Sequence, residues 1–118
     1  MTATTRPRSA SRARPPATLA TQMDGKAEAA AELLKAMANA QRLRVLCLLV
    51  EREQSVGEIN ARVRLSQPAL SQHLAVLRET GLVETRREAQ TVYYSLVDGP
   101  VRALIGTLHA VYCGPAKT

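Results

Sequence analysis

Two helix starts lie only eleven residues apart in the middle of the chain, and this spacing restricts the fold more than any other feature. Ser55 and Glu58 form a capping box, in which the serine oxygen accepts from a free amide and the glutamate reaches back. Ser66 is a second N-cap, and Pro68 is tolerated after it because first-turn amides lack intrahelical acceptors. Gly81 ends this second helix in the left-handed conformation. The pattern predicts a helix-turn-helix.

Apolar periodicity predicts two further helices before this pair. Residues 24–38 and 40–51 repeat apolar side chains every three and four positions, and Asp24 is the expected N-cap of the first helix. The apolar stripe of the second helix carries Leu43, Leu46, Cys47 and Val50. Because neighbouring leucines widen this stripe, we expect the second helix to be buried over much of its girth.

A hairpin and a last helix are predicted to follow. Residues 82–87 and 91–96 are strand-like and flank the polar turn 88–90, whereas Pro100 begins a helix with one apolar stripe. The predicted order is therefore four helices, two strands and one helix. We expect a mainly α protein with a small β-hairpin, which is a winged helix-turn-helix.

The length and the charge distribution suggest one domain with a basic tail. A chain of 118 residues supports a single core, which we assign to residues 23–114, with a short C-terminal tail at 115–118. Residues 1–22 lack apolar periodicity, and we expect them to be disordered. This tail holds four arginines, so the net charge of +6 falls to +2 on the remainder. Charge alone therefore does not establish nucleic-acid binding.

Two classes of protein are disfavoured by composition. No apolar run approaches the roughly 20 residues of a membrane span. Two cysteines are too few for a disulfide scaffold, and the N-terminus lacks the apolar region of a secretory signal. We expect a cytoplasmic protein that uses no cofactor.

The helix after Ser66 has two contrasting faces. Leu70, Leu74 and Leu77 fall on one side, whereas short polar side chains dominate the first turns of the other. Exposed helix faces usually favour Glu and Lys, but Gln pairs with adenine edges and Ser with any base. Arginines that follow add phosphate contacts. The candidate DNA-binding residues are Ser66, Gln67, Ser71, Gln72, Arg78, Arg86, Arg87 and Gln90.

Simpler interpretations of the same residues remain open on spacing alone. The polar face could be an ordinary surface, and Arg86 with Arg87 could be a solvated strand end. Their position just before the hairpin turn favours a role in the wing. His73 lies toward the leucine side, so we interpret it as a packed or boundary histidine rather than a base-reading residue.

The sequence resembles the ArsR/SmtB family of winged-helix repressors. The resemblance rests on residues 65–74, Leu-Ser-Gln-Pro-Ala-Leu-Ser-Gln-His-Leu, on residues 76–83, and on residues 39–46 at the start of the second predicted helix. It covers roughly residues 25–113. It implies a homodimer whose first and last helices form the interface, with the reading helix in the major groove of a near-palindromic operator and the hairpin as the wing.

Metal sensing, which many members of that family perform, fits this chain poorly. The thiolate site of the family uses Cys-x-Cys, but residues 55–59 contain no cysteine. The other common site pairs Asp and His on the last helix. Here Asp98 and His109 stand alone, with Pro100 and Val111 near the positions of the missing histidines. A lone His and Asp cannot complete a tetrahedral site, so we expect no metal.

A different branch of the family matches the cysteines. One cysteine on the second predicted helix and one after Tyr112 resemble the persulfide- and redox-sensing repressors similar to SqrR and BigR, as do Glu51, residues 55–58 and residues 84–87. The resemblance implies that Cys47 and Cys113 sense reactive sulfur species, become bridged and release DNA. The alternative is that Cys47 is a small core residue and Cys113 an inert terminal thiol.

Three functions therefore compete: a thiol-switched repressor, a thiol oxidoreductase, and a regulator or interaction module with silent cysteines. The oxidoreductase is disfavoured because the chain lacks Cys-x-x-Cys and a strand-rich frame. No nucleophile elbow or Gly-rich phosphate loop indicates an enzyme of another kind.

Overall fold

The computed structural model describes residues 18–114. The predictions for residues 1–17 and for the tail 115–118 lie outside the described residues. The described elements follow in the order α1 (Leu19–Asp24), α2 (Ala27–Met37), α3 (Ala40–Glu51), β1 (Gln54–Ser55), α4 (Val56–Arg62), α5 (Gln67–Glu79), β2 (Val83–Glu88), β3 (Thr91–Leu96) and α6 (Pro100–Cys113).

Backbone contacts divide the chain into two units, which meet in sequence at Ala30 and Ala31. The first unit contains α1, a short helix that begins with a capping box between Thr18 and Thr21. The prediction of disorder is therefore wrong for residues 19–22, because it rested on composition and overlooked this local cap. Asp24 is the last residue of α1 rather than the N-cap of the next helix.

The helices α4 and α5 begin, and α5 ends, as the capping signals predicted. The Ser55 hydroxyl accepts from the Glu58 amide, and the Glu58 carboxylate accepts from the Ser55 amide at 2.8 Å. Ser66 caps α5 through the Ala69 amide. Gly81 has φ +83° and follows α5, where its amide donates to the carbonyl of Arg78. The helix-turn-helix, α4 and α5, is thus confirmed.

The wing contains one strand more than predicted. β1 pairs antiparallel with β3, and β3 pairs with β2, so the strand order is β1-β3-β2. A strand of two residues shows no alternation of apolar and polar side chains, and the sequence gives no sign of it. The hairpin turn is shorter than predicted, because Glu88 is paired with Thr91 and only Ala89 and Gln90 remain between the strands.

The core joins α2, α3, α4, α5, the sheet and α6. Its most buried side chains include Val45, Leu46 and Leu49 of α3, all at or below 1% exposure. Cys47 is exposed, so its place in the predicted apolar stripe is wrong, whereas Leu46 is buried and Leu43 and Val50 pack against the core as predicted. The buried face of α3 is the one that packs against α5 and β3, whereas Cys47 lies on the side toward α6.

The predicted fold class, a mainly α winged helix-turn-helix, is confirmed, with α1 and β1 as additions. No helix among residues 18–114 combines the length and apolar character needed to cross a membrane.

Candidate functional site

The two faces of α5 are arranged as the sequence predicted. Leu70, Leu74 and Leu77 are at most 1% exposed and anchor the helix in the core. Every side chain named as a DNA-binding candidate is exposed: Ser66, Gln67, Ser71, Gln72, Arg78, Arg86, Arg87 and Gln90. The polar face of α5 and the wing therefore present their functional groups to solvent.

A concave surface of about 460 Å³ lies between α5 and the sheet. Its lining comprises Ser71, Ala75, Arg78, Glu79 and Tyr94. The structure thus brings two of the predicted residues, Ser71 and Arg78, to one depression beside β3. Sequence reasoning missed Tyr94, although two consecutive tyrosines in a predicted strand place one of them on each face.

Arg86 differs from the other candidates because it is held within the protein. Its Nε donates to both carboxylate oxygens of Glu53, at 2.8 and 3.0 Å, and its Nη1 donates to Glu88 at 3.2 Å. The guanidinium carbon lies 4.6 Å from the centre of the Tyr93 ring. The hydrogen bonds that Arg86 donates to Glu53, and then the one to Glu88, raise the pKa of Arg86 above its usual value. Arg87 has no ion pair with any described residue.

His73 lies at the boundary of the core, as predicted. Its Nδ1 is 3.4 Å from Nη1 of Arg42, a residue at the start of α3. Arg42 also donates to the carbonyls of Lys35 and Ala36 at the C-terminal end of α2. A cation suits this position because the last carbonyls of a helix lack intrahelical donors. Arg42 therefore connects the C-terminal end of α2 with α5.

The two cysteines line one pocket between α3 and α6. The pocket measures about 360 Å³, and its lining comprises Leu43, Cys47, Ile105, Leu108, His109, Tyr112 and Cys113. Sequence reasoning paired the cysteines by resemblance alone. No local pattern could have shown it, because Cys47 and Cys113 lie on different helices that are distant in sequence.

The pocket affects the Cys47 thiol, which is exposed but partly desolvated by the pocket wall. This partial desolvation is the main cause that raises the pKa of Cys47, and negative charge on the nearby Cys113 and Glu51 raises it further because it disfavours a thiolate. The Cys47 thiol is thus mostly protonated at neutral pH and is a weak nucleophile in the reduced protein.

Cys47, His109 and Cys113 line one pocket, but they do not form a metal-binding cluster. Within residues 18–114, no three side chains of His, Cys, Asp or Glu lie close enough together to form a metal site.

Comparison with known proteins decides the family. A profile described as bacterial regulatory protein, arsR family, matches residues 39–85. The transcriptional activator HlyU of Vibrio cholerae serotype O1 is 55% identical over 92 residues, which cover 78% of this chain and 85% of HlyU. The chain belongs to the ArsR family.

Other members of the ArsR family support this assignment. The biofilm growth-associated repressor of Agrobacterium fabrum is 45% identical over 95 residues, 80% of this chain and 81% of the repressor. The structure of reduced HlyU from Vibrio cholerae N16961 superposes with a TM-score of 0.73 at 55% identity, covering 78% of this chain and 97% of HlyU.

One further solved structure to which this chain is similar is a homodimer. The homodimeric winged helix-turn-helix DNA-binding domain of Mb0332 from Mycobacterium bovis gives a TM-score of 0.69 at 34% identity, covering 80% of this chain and 91% of that domain.

Proposed function

We propose that this ArsR-family protein is a homodimeric transcriptional repressor that binds a near-palindromic operator and releases it when reactive sulfur species bridge Cys47 and Cys113. Two classes of observation support the proposal. The exposed polar face of α5 beside the wing supports DNA reading, and the shared pocket of the two thiols supports the switch. The shared pocket is the single observation that carries it.

The proposed DNA contacts follow from the chemistry of each side chain. Gln67 and Gln72 read base edges, since the side-chain amide both donates and accepts, and Ser71 supplements them. Arg78 and Arg87 bind phosphates, which fix the register without reading sequence. Ser66 and Gln90 lie at the start of α5 and in the hairpin turn, from which they contact the DNA backbone.

The proposed dimer uses α6. Leu108, Val111 and Tyr112 are exposed by 37, 70 and 82% on this helix. Such an apolar surface is a typical feature of a protein interface. The homodimeric domain of Mb0332 supports the same arrangement here. Two-fold symmetry then requires half-sites separated by about one helical turn of DNA.

The proposed switch needs no oxidant beyond the inducer. The Cys113 thiolate attacks the outer sulfur of an organic hydropersulfide, RSSH, whose S–S bond breaks so that RSH leaves with a proton. The Cys47 thiolate then attacks the inner sulfur of the Cys113 persulfide, and hydrogen sulfide leaves. Two thiols are oxidised to a disulfide while RSSH is reduced to RSH and hydrogen sulfide. Insertion of additional sulfur would produce a longer bridge.

The order of the two steps follows from the pocket. Because partial desolvation raises the pKa of Cys47, its thiolate is scarce, and we therefore assign the first step to Cys113 at the C-terminal end of α6. Reduced thiols of this kind suit the cytoplasm, where we propose that the repressor acts.

The structural effect of the bridge would reach α5 through α3. This helix packs against α5 and β3, and it also contacts α6, where Arg102 donates to the Val50 carbonyl at 3.2 Å. A covalent link between α3 and α6 would join the DNA-reading body to the dimer interface. Release requires that the bridged dimer hold its two reading helices at a spacing that no longer matches successive major grooves.

The direction of regulation is proposed from one of the relatives. HlyU is called an activator, whereas the protein of Agrobacterium fabrum is called a repressor. Release of DNA on oxidation is the behaviour of a repressor that an inducer inactivates, and we propose that direction.

A gel-shift titration tests the proposal. Reduced protein should bind an operator duplex more tightly than a random duplex, polysulfide treatment should weaken operator binding, and reductant should restore it. A Cys47→Ser, Cys113→Ser double variant is the matched control and should bind equally before and after treatment. Unchanged operator affinity of treated wild-type protein would instead indicate the alternative, a constitutive ArsR-type regulator with silent cysteines.

A further inference from the structure

The wing contains an ion cluster that spans all three strands. Glu53 lies just before β1, and its carboxylate receives two hydrogen bonds from Arg86 on β2. Tyr93 on the central strand β3 is paired in register with both Ser55 and Arg86, and its ring lies beneath the Arg86 guanidinium. The Arg86 side chain is therefore held in place both by the hydrogen bonds it donates to Glu53 and by the contact of its planar guanidinium with the Tyr93 ring.

The charge of this cluster is the opposite of what a DNA-binding wing needs. Glu53 and Glu88 contribute two negative charges against the one positive charge of Arg86, and Glu88 pairs with Arg86 at 3.2 Å. Exposed ion pairs contribute little to stability. The arrangement therefore matters mainly for where positive charge is available to DNA.

We propose that Glu53 withholds Arg86 from DNA phosphates and thereby lowers the affinity of the wing for DNA of any sequence. Binding to random DNA depends on the number of phosphates that cations neutralise. An arginine held by two carboxylates adds none, whereas the base contacts of α5 are unaffected. Glu53 is then a positioning residue that sets the sequence-independent part of the affinity through Arg86. This inference rests on the proposed DNA binding and is independent of the cysteine switch.

The variant Glu53→Gln tests this role because the amide keeps the size of the side chain and removes its charge. We expect tighter binding to a random duplex, with a plot of log K against log salt that is steeper by about 0.9. The advantage of the variant over wild type on random DNA should shrink about threefold between 50 and 200 mM salt, the change expected for one phosphate contact. Operator affinity should rise by a similar factor, so the ratio of operator to random affinity should stay near its wild-type value.

Glu51→Gln is the matched control. Glu51 is also exposed and also pairs with an arginine, Arg62 at 3.0 Å, so the change in net charge is identical. If Glu51→Gln raises random-DNA affinity and slope as much as Glu53→Gln does, net charge alone explains the gain and the proposal is wrong. The double variant Glu53→Gln, Arg86→Gln should lose the gain, and a double variant that retains it would also contradict the proposal.

Arg86→Gln alone provides a test that does not depend on how well Glu53→Gln folds. If Arg86 is withheld, its removal leaves the salt slope on random DNA at the wild-type value. A slope shallower by about one charge would mean that Arg86 already binds phosphate, and the proposal would be overturned. Failure of reduced wild-type protein to prefer operator over random DNA would refute the proposed function itself, an outcome separate from these comparisons.

Discussion

Bridging Cys47 and Cys113 should stabilise the fold, provided that the pocket brings the thiols together without strain. The bridge closes a loop of 67 residues, counting both cysteines. The loss of chain entropy in the unfolded state then corresponds to about 4 kcal/mol at 25 °C. For a domain of this size, each kcal/mol raises Tm by roughly 4–8 °C, so the bridged form should melt roughly 15–30 °C above the reduced form.

This gain in stability requires that the disulfide bridge fit the native fold without strain, and the measurement tests that requirement. A disulfide requires Cα atoms within about 7 Å, and a bridge outside this range stores strain that cancels the entropic gain. Because α3 and α6 already contact each other and both thiols line one pocket, we expect little strain. The free energy of unfolding would be measured by urea titration of the reduced and the bridged protein, each verified by intact mass.

The double variant Cys47→Ser, Cys113→Ser is the control for this experiment. It should unfold at the same urea concentration before and after treatment with polysulfide. If the bridged wild-type protein is no more stable than the reduced protein, the two thiols are not suitably placed in the native fold. The assignment of the pocket as a sensor would then be wrong, whatever the effect on DNA.

Three further predictions follow from the described contacts. Arg42→Ala should lower the free energy of unfolding by about 2 kcal/mol in urea titrations, because charged hydrogen bonds to the end of α2 are lost. The control Arg44→Ala, on an exposed side of the same helix, should lower it by less than about 0.5 kcal/mol. Equal losses would refute the anchoring role of Arg42. Gln72→Ala should cost about 1–3 kcal/mol on the operator and little on random duplex, whereas Arg87→Ala should weaken both and reduce the salt slope by about one; the reverse pattern would exchange their roles. Since partial desolvation raises the pKa of Cys47, conversion of the Cys113 persulfide to the bridge, followed by mass spectrometry, should accelerate as pH rises and more Cys47 becomes thiolate. A rate independent of pH would contradict this.

The helix-turn-helix could be predicted because its signals are local. Ser55, Ser66 and Gly81 each act on backbone groups within a few residues, so the sequence carries the information directly. The polar face of α5 was likewise predictable, since its buried leucines recur at helical spacing. The strand β1 could not be predicted, because its two residues form a strand only through their pairing with Tyr93 and Tyr94.

The contacts that distinguish the site depend on residues distant in sequence. The ion pair between Glu53 and Arg86 joins positions 33 residues apart, and no pattern along the chain indicates it. The exposure of Cys47 was mispredicted for a related reason. A helical wheel identifies an apolar stripe, but it does not tell which of its edges faces the core and which faces α6.

The most direct test of the account compares operator binding by Cys47→Ser and Cys113→Ser, each before and after polysulfide treatment. We predict that both variants bind the operator as tightly as reduced wild-type protein, since neither thiol belongs to the DNA-reading surface. Treatment should weaken wild-type binding about a hundredfold, which corresponds to ~2.8 kcal/mol, and should leave both variants unchanged. If either single variant still releases the operator after treatment, the switch does not require the bridge between Cys47 and Cys113, and the central claim is wrong.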